Sequence, residues 1–134
     1  MPADIINFGH NWNAKLFGKA FSTIRIKNEN KYQVGNEYEI QLHGKEIGRG
    51  VIRHINHFTI DQLSTPMALI DTGYSLAETK KIILTMYKNR NYNWSTQQLS
   101  FIVIEMPAKA KIPGPEYLYE KCYLDDATPE AKKA

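Results

Sequence analysis

The chain has 134 residues, 43% hydrophobic and 23% charged, with a formal net charge of +3 at pH 7. This is the size of one ordinary domain with material for a substantial core, and it reads as soluble and globular. Cys122 is the only cysteine, which excludes an internal disulfide, and no apolar run is long enough for a membrane-spanning helix. Between residues 8 and 105 there are 12 Lys/Arg against 8 Asp/Glu, so the mild basic excess lies in the body. That balance suits an anionic partner without identifying one. The N-terminus lacks a basic-then-apolar signal pattern, and the expected location is cytoplasmic.

Ile5, Ile6 and Phe8 predict a short first strand. Residues 11–17 predict a short helix with Trp12, Leu16 and Phe17 on its apolar side, ended by Gly18 in a left-handed conformation. A second strand follows, in which Ser22, Ile24 and Ile26 alternate with Thr23 and Arg25. Successive strand side chains take opposite faces, so Thr23 and Arg25 share one face while Ile24 and Ile26 point into a core.

Residues 28–36 are polar and form a turn or loop containing Gly35. Tyr38, Ile40 and Leu42 then alternate with Glu37, Glu39 and Gln41, the pattern of a half-buried strand. His43-Gly44 predicts a tight hairpin turn, and the returning strand occupies residues 46–58. Gly48 and Gly50 inside that strand predict a bulge or strong coiling, hence a curved sheet.

A short helix is expected over 66–70, interrupted by Asp71-Thr72-Gly73-Tyr74. Ser75 and Glu78 match a capping box, and Leu76, Ile83, Leu84 and Tyr87 give the following helix an apolar stripe. After a polar connection over 87–96, residues 99–106 predict a buried strand. Pro107, Pro113, Pro115 and Pro129 mark residues 107–134 as an extended tail, on which Tyr117, Leu118 and Tyr119 can dock.

The order of these elements, with Gly18, Thr23-Ile24-Arg25, Gly35 and Ser75-Leu76-Ala77-Glu78-Thr79-Lys80-Lys81, resembles the ASCH family over about residues 5–105. The resemblance implies an α+β, PUA-like fold: a curved antiparallel β-barrel with flanking helices, here residues 1–106. It also implies an RNA-binding or nucleoside-processing domain. One branch of the family hydrolyses the amide of cytidine acetylated on its exocyclic amine. That branch uses a lysine ahead of Thr-Ile-Arg, the threonine itself and a glutamate before the capped helix. Thr23 and Arg25 match, whereas the lysine and glutamate positions fall on Ala20 and Thr72, beside Lys19 and Asp71.

The candidate residues carry two chemistries. Amide hydrolysis needs a nucleophile, a proton acceptor and oxyanion stabilisation. Lys19, Thr23 and Asp71 are the catalytic candidates, with Arg25 lowering the pKa of Lys19 by like-charge repulsion. Each also has an ordinary structural reading: a solvated loop cation for Lys19, a helix-terminus hydrogen bond for Asp71. Binding needs less. Lys15, Lys19 and Arg25 can contact phosphate, Thr23 and Thr72 can offer hydroxyls, and Tyr74 can stack on an unpaired base. Trp12 can stack too, but reads first as core packing. His10, His43, His54 and His57 lack a metal-binding spacing, and neither metal nor cofactor is expected. The leading expectation is a domain that binds RNA or a modified nucleoside in a basic cleft. The alternatives are an acylcytidine amidohydrolase or ribonuclease, and a protein-interaction module that docks a partner through the tail.

Overall fold

A computed structural model describes residues 4–107. Five strands form one sheet: β1 (Asp4–Phe8), β2 (Ala20–Ile26), β3 (Glu37–Leu42), β4 (Lys45–Thr59) and β5 (Gln98–Glu105). A 3-10 segment, Trp12–Phe17, joins β1 to β2, and a short 3-10 turn, Ile60–Gln62, follows β4. Two helices, α1 (Thr65–Asp71) and α2 (Leu76–Met86), lie between β4 and β5. The strand order is β1-β3-β4-β5-β2.

The alternation in β3 is realised directly: Tyr38 and Ile40 are buried and Glu37 and Glu39 face outward. His43 and Gly44 both take positive φ, +54° and +79°, and turn the chain tightly into β4. The β3–β4 register shifts between Ile40 and Gln41, where Ile47 is the extra residue of β4. A second shift falls between Ile52 and His54, against β5. Such bulges bend and coil a strand, and two of them curl the 15-residue β4 into the wall of a half-barrel. Gly50 sits where the sheet closes most tightly: a Cβ there would lie 2.6 Å from Cγ2 of Ile104.

The curled sheet separates two cores. Ile6, Phe8, Leu16, Phe21, Ile40, Ile52 and Ile104 belong to the first. Ile24, Phe58, Leu63, Ile83 and Leu99 form the second core, under the helices. Strands β2 and β5 feed both, with Phe21 on one face and Ile24 on the other. The capping box starts α2 as the sequence predicts: Ser75 Oγ accepts from the Glu78 N–H at 3.2 Å, and Glu78 Oε1 accepts from the Ser75 N–H at 3.1 Å.

The chain therefore has the expected α+β, PUA-like architecture, with two departures in detail. Three pairings are antiparallel, but β1 runs parallel with β3. A parallel pair needs a long crossover, supplied here by the 3-10 segment and β2. The sheet also stays open, with β1 and β2 as free edges. Gly18 is a further correction: at φ −85°, ψ 168° it is extended rather than left-handed. The left-handed residues are Asn13 and Ala14, inside the 3-10 segment. Among the described residues no helix is long and apolar enough to cross a membrane. The expected tail, beyond Pro107, lies outside the described residues.

Candidate functional site

The two edge strands, β1 and β2, are linked by Arg25. Thr23 and Arg25 share a face of β2, and Arg25 Nε donates to Thr23 Oγ1 at 3.0 Å. Its Nη2 donates to the backbone carbonyl of Asn7, in β1, at 2.8 Å. The guanidinium carbon lies 4.8 Å from the centroid of the Phe8 ring, a cation–π contact. The carbonyl of Phe8 accepts from His43 N, on the β3 side, and carbonyls alternate along a strand. Asn7 therefore turns its carbonyl to the free edge, where Arg25 meets it.

The second polar group is a buried trio. Lys15 Nζ donates to Asp71 Oδ1 at 2.8 Å, and Ser22 Oγ donates to the same oxygen at 2.8 Å. The Lys15 and Asp71 side chains are only 7% and 8% exposed. Burial pulls the Lys15 pKa below its ordinary 10.5, against the opposing pull of Asp71; the Arg25 charge adds a smaller push downward. Asp71 ends α1, and Thr72 caps it. The Thr72 hydroxyl donates to the carbonyl of Ala68 at 3.0 Å, lies 2.7 Å from Thr79 Oγ1, and accepts from Tyr74 N at 3.1 Å. This network fixes the turn between α1 and α2. Gly73 completes that turn at φ +80°, with Asn13 Oδ1 only 2.9 Å from where a Cβ would stand.

Between these groups lies a cleft of about 260 Å³. Thr23, Arg25, Lys15 and Asp71 give it a polar side; Phe8, Trp12, Ile82, Met86 and Tyr87 give it an apolar and aromatic side. Trp12 is half-buried in this wall rather than in the core, with its ring edge-to-face with Tyr74 at 6.0 Å. His10 packs against the indole, at 4.2 Å between ring centroids.

Of the residues singled out from sequence, Lys15, Thr23, Arg25, Asp71 and Thr72 all line this cleft. Tyr74 lines an adjoining groove instead. Lys19 is exposed and outside the cleft, and its backbone carbonyl accepts from Met106 N at 2.6 Å, extending the β2–β5 ladder. Ala20 is exposed as well, opposite Glu105. The ammonium beside Asp71 is thus that of Lys15, and the like-charge effect expected for Lys19 acts on Lys15, where it adds to the larger effect of burial. Sequence reasoning missed Ser22, Asn7, Phe8 and Tyr87 as cleft or cleft-supporting residues. Asn7 acts through its backbone carbonyl, which any residue would supply, so no sequence signal marks it. Among the described residues no group of three or more His, Cys, Asp or Glu side chains is placed to hold a metal ion.

No family model matches the chain, and no curated protein matches it. In fold it is similar to the crystal structure of protein EF3133 from Enterococcus faecalis V583, described under family DUF984. The superposition gives a TM-score of 0.54 at 13% identity, over 80% of this chain and 81% of that one. At this identity the likeness concerns the fold: a curled mixed sheet with a few helices.

Proposed function

We propose that this is an ASCH-type domain whose cleft takes one nucleoside, free or as an unpaired nucleotide of RNA. The observation that carries the reading is the state of Arg25. Its contacts among the described residues are to neutral groups and an aromatic face, so its charge is held in place without a carboxylate partner. A preset guanidinium offers its remaining N–H donors to a base carbonyl and, in RNA, to the phosphate beside it. The aromatic and apolar wall offers the flat contacts that an unstacked base requires. The cleft volume lies just under the ~300–1,000 Å³ of drug-sized ligand sites, which suits a single nucleoside. The order of motifs over residues 5–105 supports the family reading.

Titrating the four ribonucleosides against tryptophan fluorescence tests this, since Trp12 stands in the wall. Saturable quenching by at least one nucleoside is expected, with affinity at least about tenfold weaker in Arg25→Met, the loss of one charge-assisted hydrogen bond. Failure of all four to saturate contradicts the reading.

One observation favours a second reading. Lys15, held against Asp71 and drawn toward its neutral form by burial, has the environment of a lysine general base. In amide hydrolysis it would take the proton of a water attacking the acyl carbonyl, with Arg25 facing the developing oxyanion. Acetate release from N4-acetylcytidine separates the two. The binding reading expects slow or no release; fast release abolished by Lys15→Met would replace it.

A further inference from the structure

Trp12, Ile82 and Met86 line not only the cleft but also a shallower groove of about 530 Å³ along α2. The groove adds Tyr74, Lys81 and Thr85. Core packing does not account for these side chains. Helix α2 buries Thr79 and Ile83 inward, while Tyr74 and Met86 remain 45% and 58% exposed. Glu78 also borders the groove; the Ser75 N–H of the capping box lowers its pKa and keeps it charged, but it forms no ion pair with Lys81. Among the described residues Lys81 has no carboxylate partner. The groove thus pairs an exposed aromatic ring with a cation outside any ion pair among the described residues, immediately beside a site sized for one nucleoside.

We propose that this groove takes the adjacent nucleotide of a single-stranded RNA, so that the site engages two consecutive nucleotides. The proposal rests on the reading of the cleft as a nucleoside site. The indole of Trp12 borders both compartments and forms the partition between the two bases. The second base lies against Tyr74 and Met86, and Lys81 meets a backbone phosphate. A stacked base needs an exposed π-face, and a phosphate needs a cation that no carboxylate has claimed; the groove provides both. Its continuity with the cleft is what makes the occupant a neighbouring nucleotide rather than a separate ligand.

The test is the ratio of affinities for an oligonucleotide and its nucleoside. Full-length protein is titrated with each ribonucleoside and with homo-oligoribonucleotides of two and four residues, at fixed salt. The dinucleotide is expected to bind about tenfold tighter than the nucleoside, within what one aromatic-stacked base contributes. Little is gained from two residues to four. Tyr74→Ala and Lys81→Glu, both surface changes, should each reduce that ratio several-fold. A dinucleotide that binds no tighter than a bound nucleoside overturns the groove proposal and leaves the cleft reading standing. A ratio unmoved by both variants overturns it equally. Binding of none of the probes overturns both.

Discussion

Lys15 and Arg25 line the same cleft, and the fold treats their charges in opposite ways. Lys15 is enclosed and neutralised, because Asp71 Oδ1 accepts from its ammonium and from Ser22 at 2.8 Å each. Arg25 is half-buried and bonds to a hydroxyl and a backbone carbonyl, leaving its charge uncompensated by any ion pair among the described residues. A buried pair of this kind has already exchanged its hydration for its partner, and has little further attraction to give an incoming anion. A fixed guanidinium with neutral partners retains that attraction. Two cations on one cleft wall therefore teach that proximity is a poor guide to role: the Lys15 side holds the cleft together, and the Arg25 side is where a ligand gains energy.

The largest expected effect breaks the enclosed side. Lys15→Met leaves the Asp71 carboxylate buried with only the Ser22 hydroxyl, and should cost about 3–5 kcal/mol of stability. Lys15→Met combined with Asp71→Asn should recover most of that loss, because no uncompensated charge remains. Urea unfolding of the single and double variants checks both statements. Equal losses in the two would show that packing around Lys15, not its charge, is what matters there.

A smaller effect comes from the turn that carries Asp71 and Thr72. Gly73→Ala places a side chain at φ +80°, 2.9 Å from Asn13 Oδ1. The left-handed conformation alone should cost about 1–2 kcal/mol. This change strains the Lys15 side only, so stability should fall while the salt dependence of ligand binding stays put. A change in salt dependence would show that the two sides are coupled through the turn.

The smallest effect is in pH. Burial lowers the Lys15 pKa below 10.5, so above that lowered value the unfolded chain holds more protons than the native one. Stability contributed at this site should accordingly rise with pH from the native pKa up to 10.5, and be constant below the native pKa. The double variant Lys15→Met/Asp71→Asn should lack this rise. Parallel slopes for it and the native protein would mean that burial does not dominate the titration of Lys15.

Much of the scaffold was legible in the sequence, for local reasons. The two-residue period of 37–42, the His43-Gly44 turn and the Ser75/Glu78 capping box each depend on neighbours within a few positions. Gly48 and Gly50 announced the curling of β4 because few other reasons put two glycines in one strand. The cleft was half legible. Thr23, Arg25 and Asp71 could be singled out, but the sequence favoured Lys19, which lies outside the cleft, over Lys15, which lines it. Their placement turns on Asn13 and Ala14, whose positive φ of 58° and 52° breaks the helical path just before Lys15. Asn is enriched in that conformation but Ala is not, so the pair leaves only a weak signal in the sequence. The parallel β1–β3 pairing and the bond from Arg25 to the Asn7 carbonyl depend on how distant strands meet, which no local pattern encodes.

The difference between the two cations is tested most directly by the salt dependence of binding. A tetraribonucleotide titrated over a series of salt concentrations gives a slope that counts the phosphate contacts. In Arg25→Met the slope should fall by about one and affinity by about tenfold. In Lys15→Met/Asp71→Asn both should match the native protein. A slope that falls in the double variant and holds in Arg25→Met would contradict the account and make Lys15 the residue that meets the ligand.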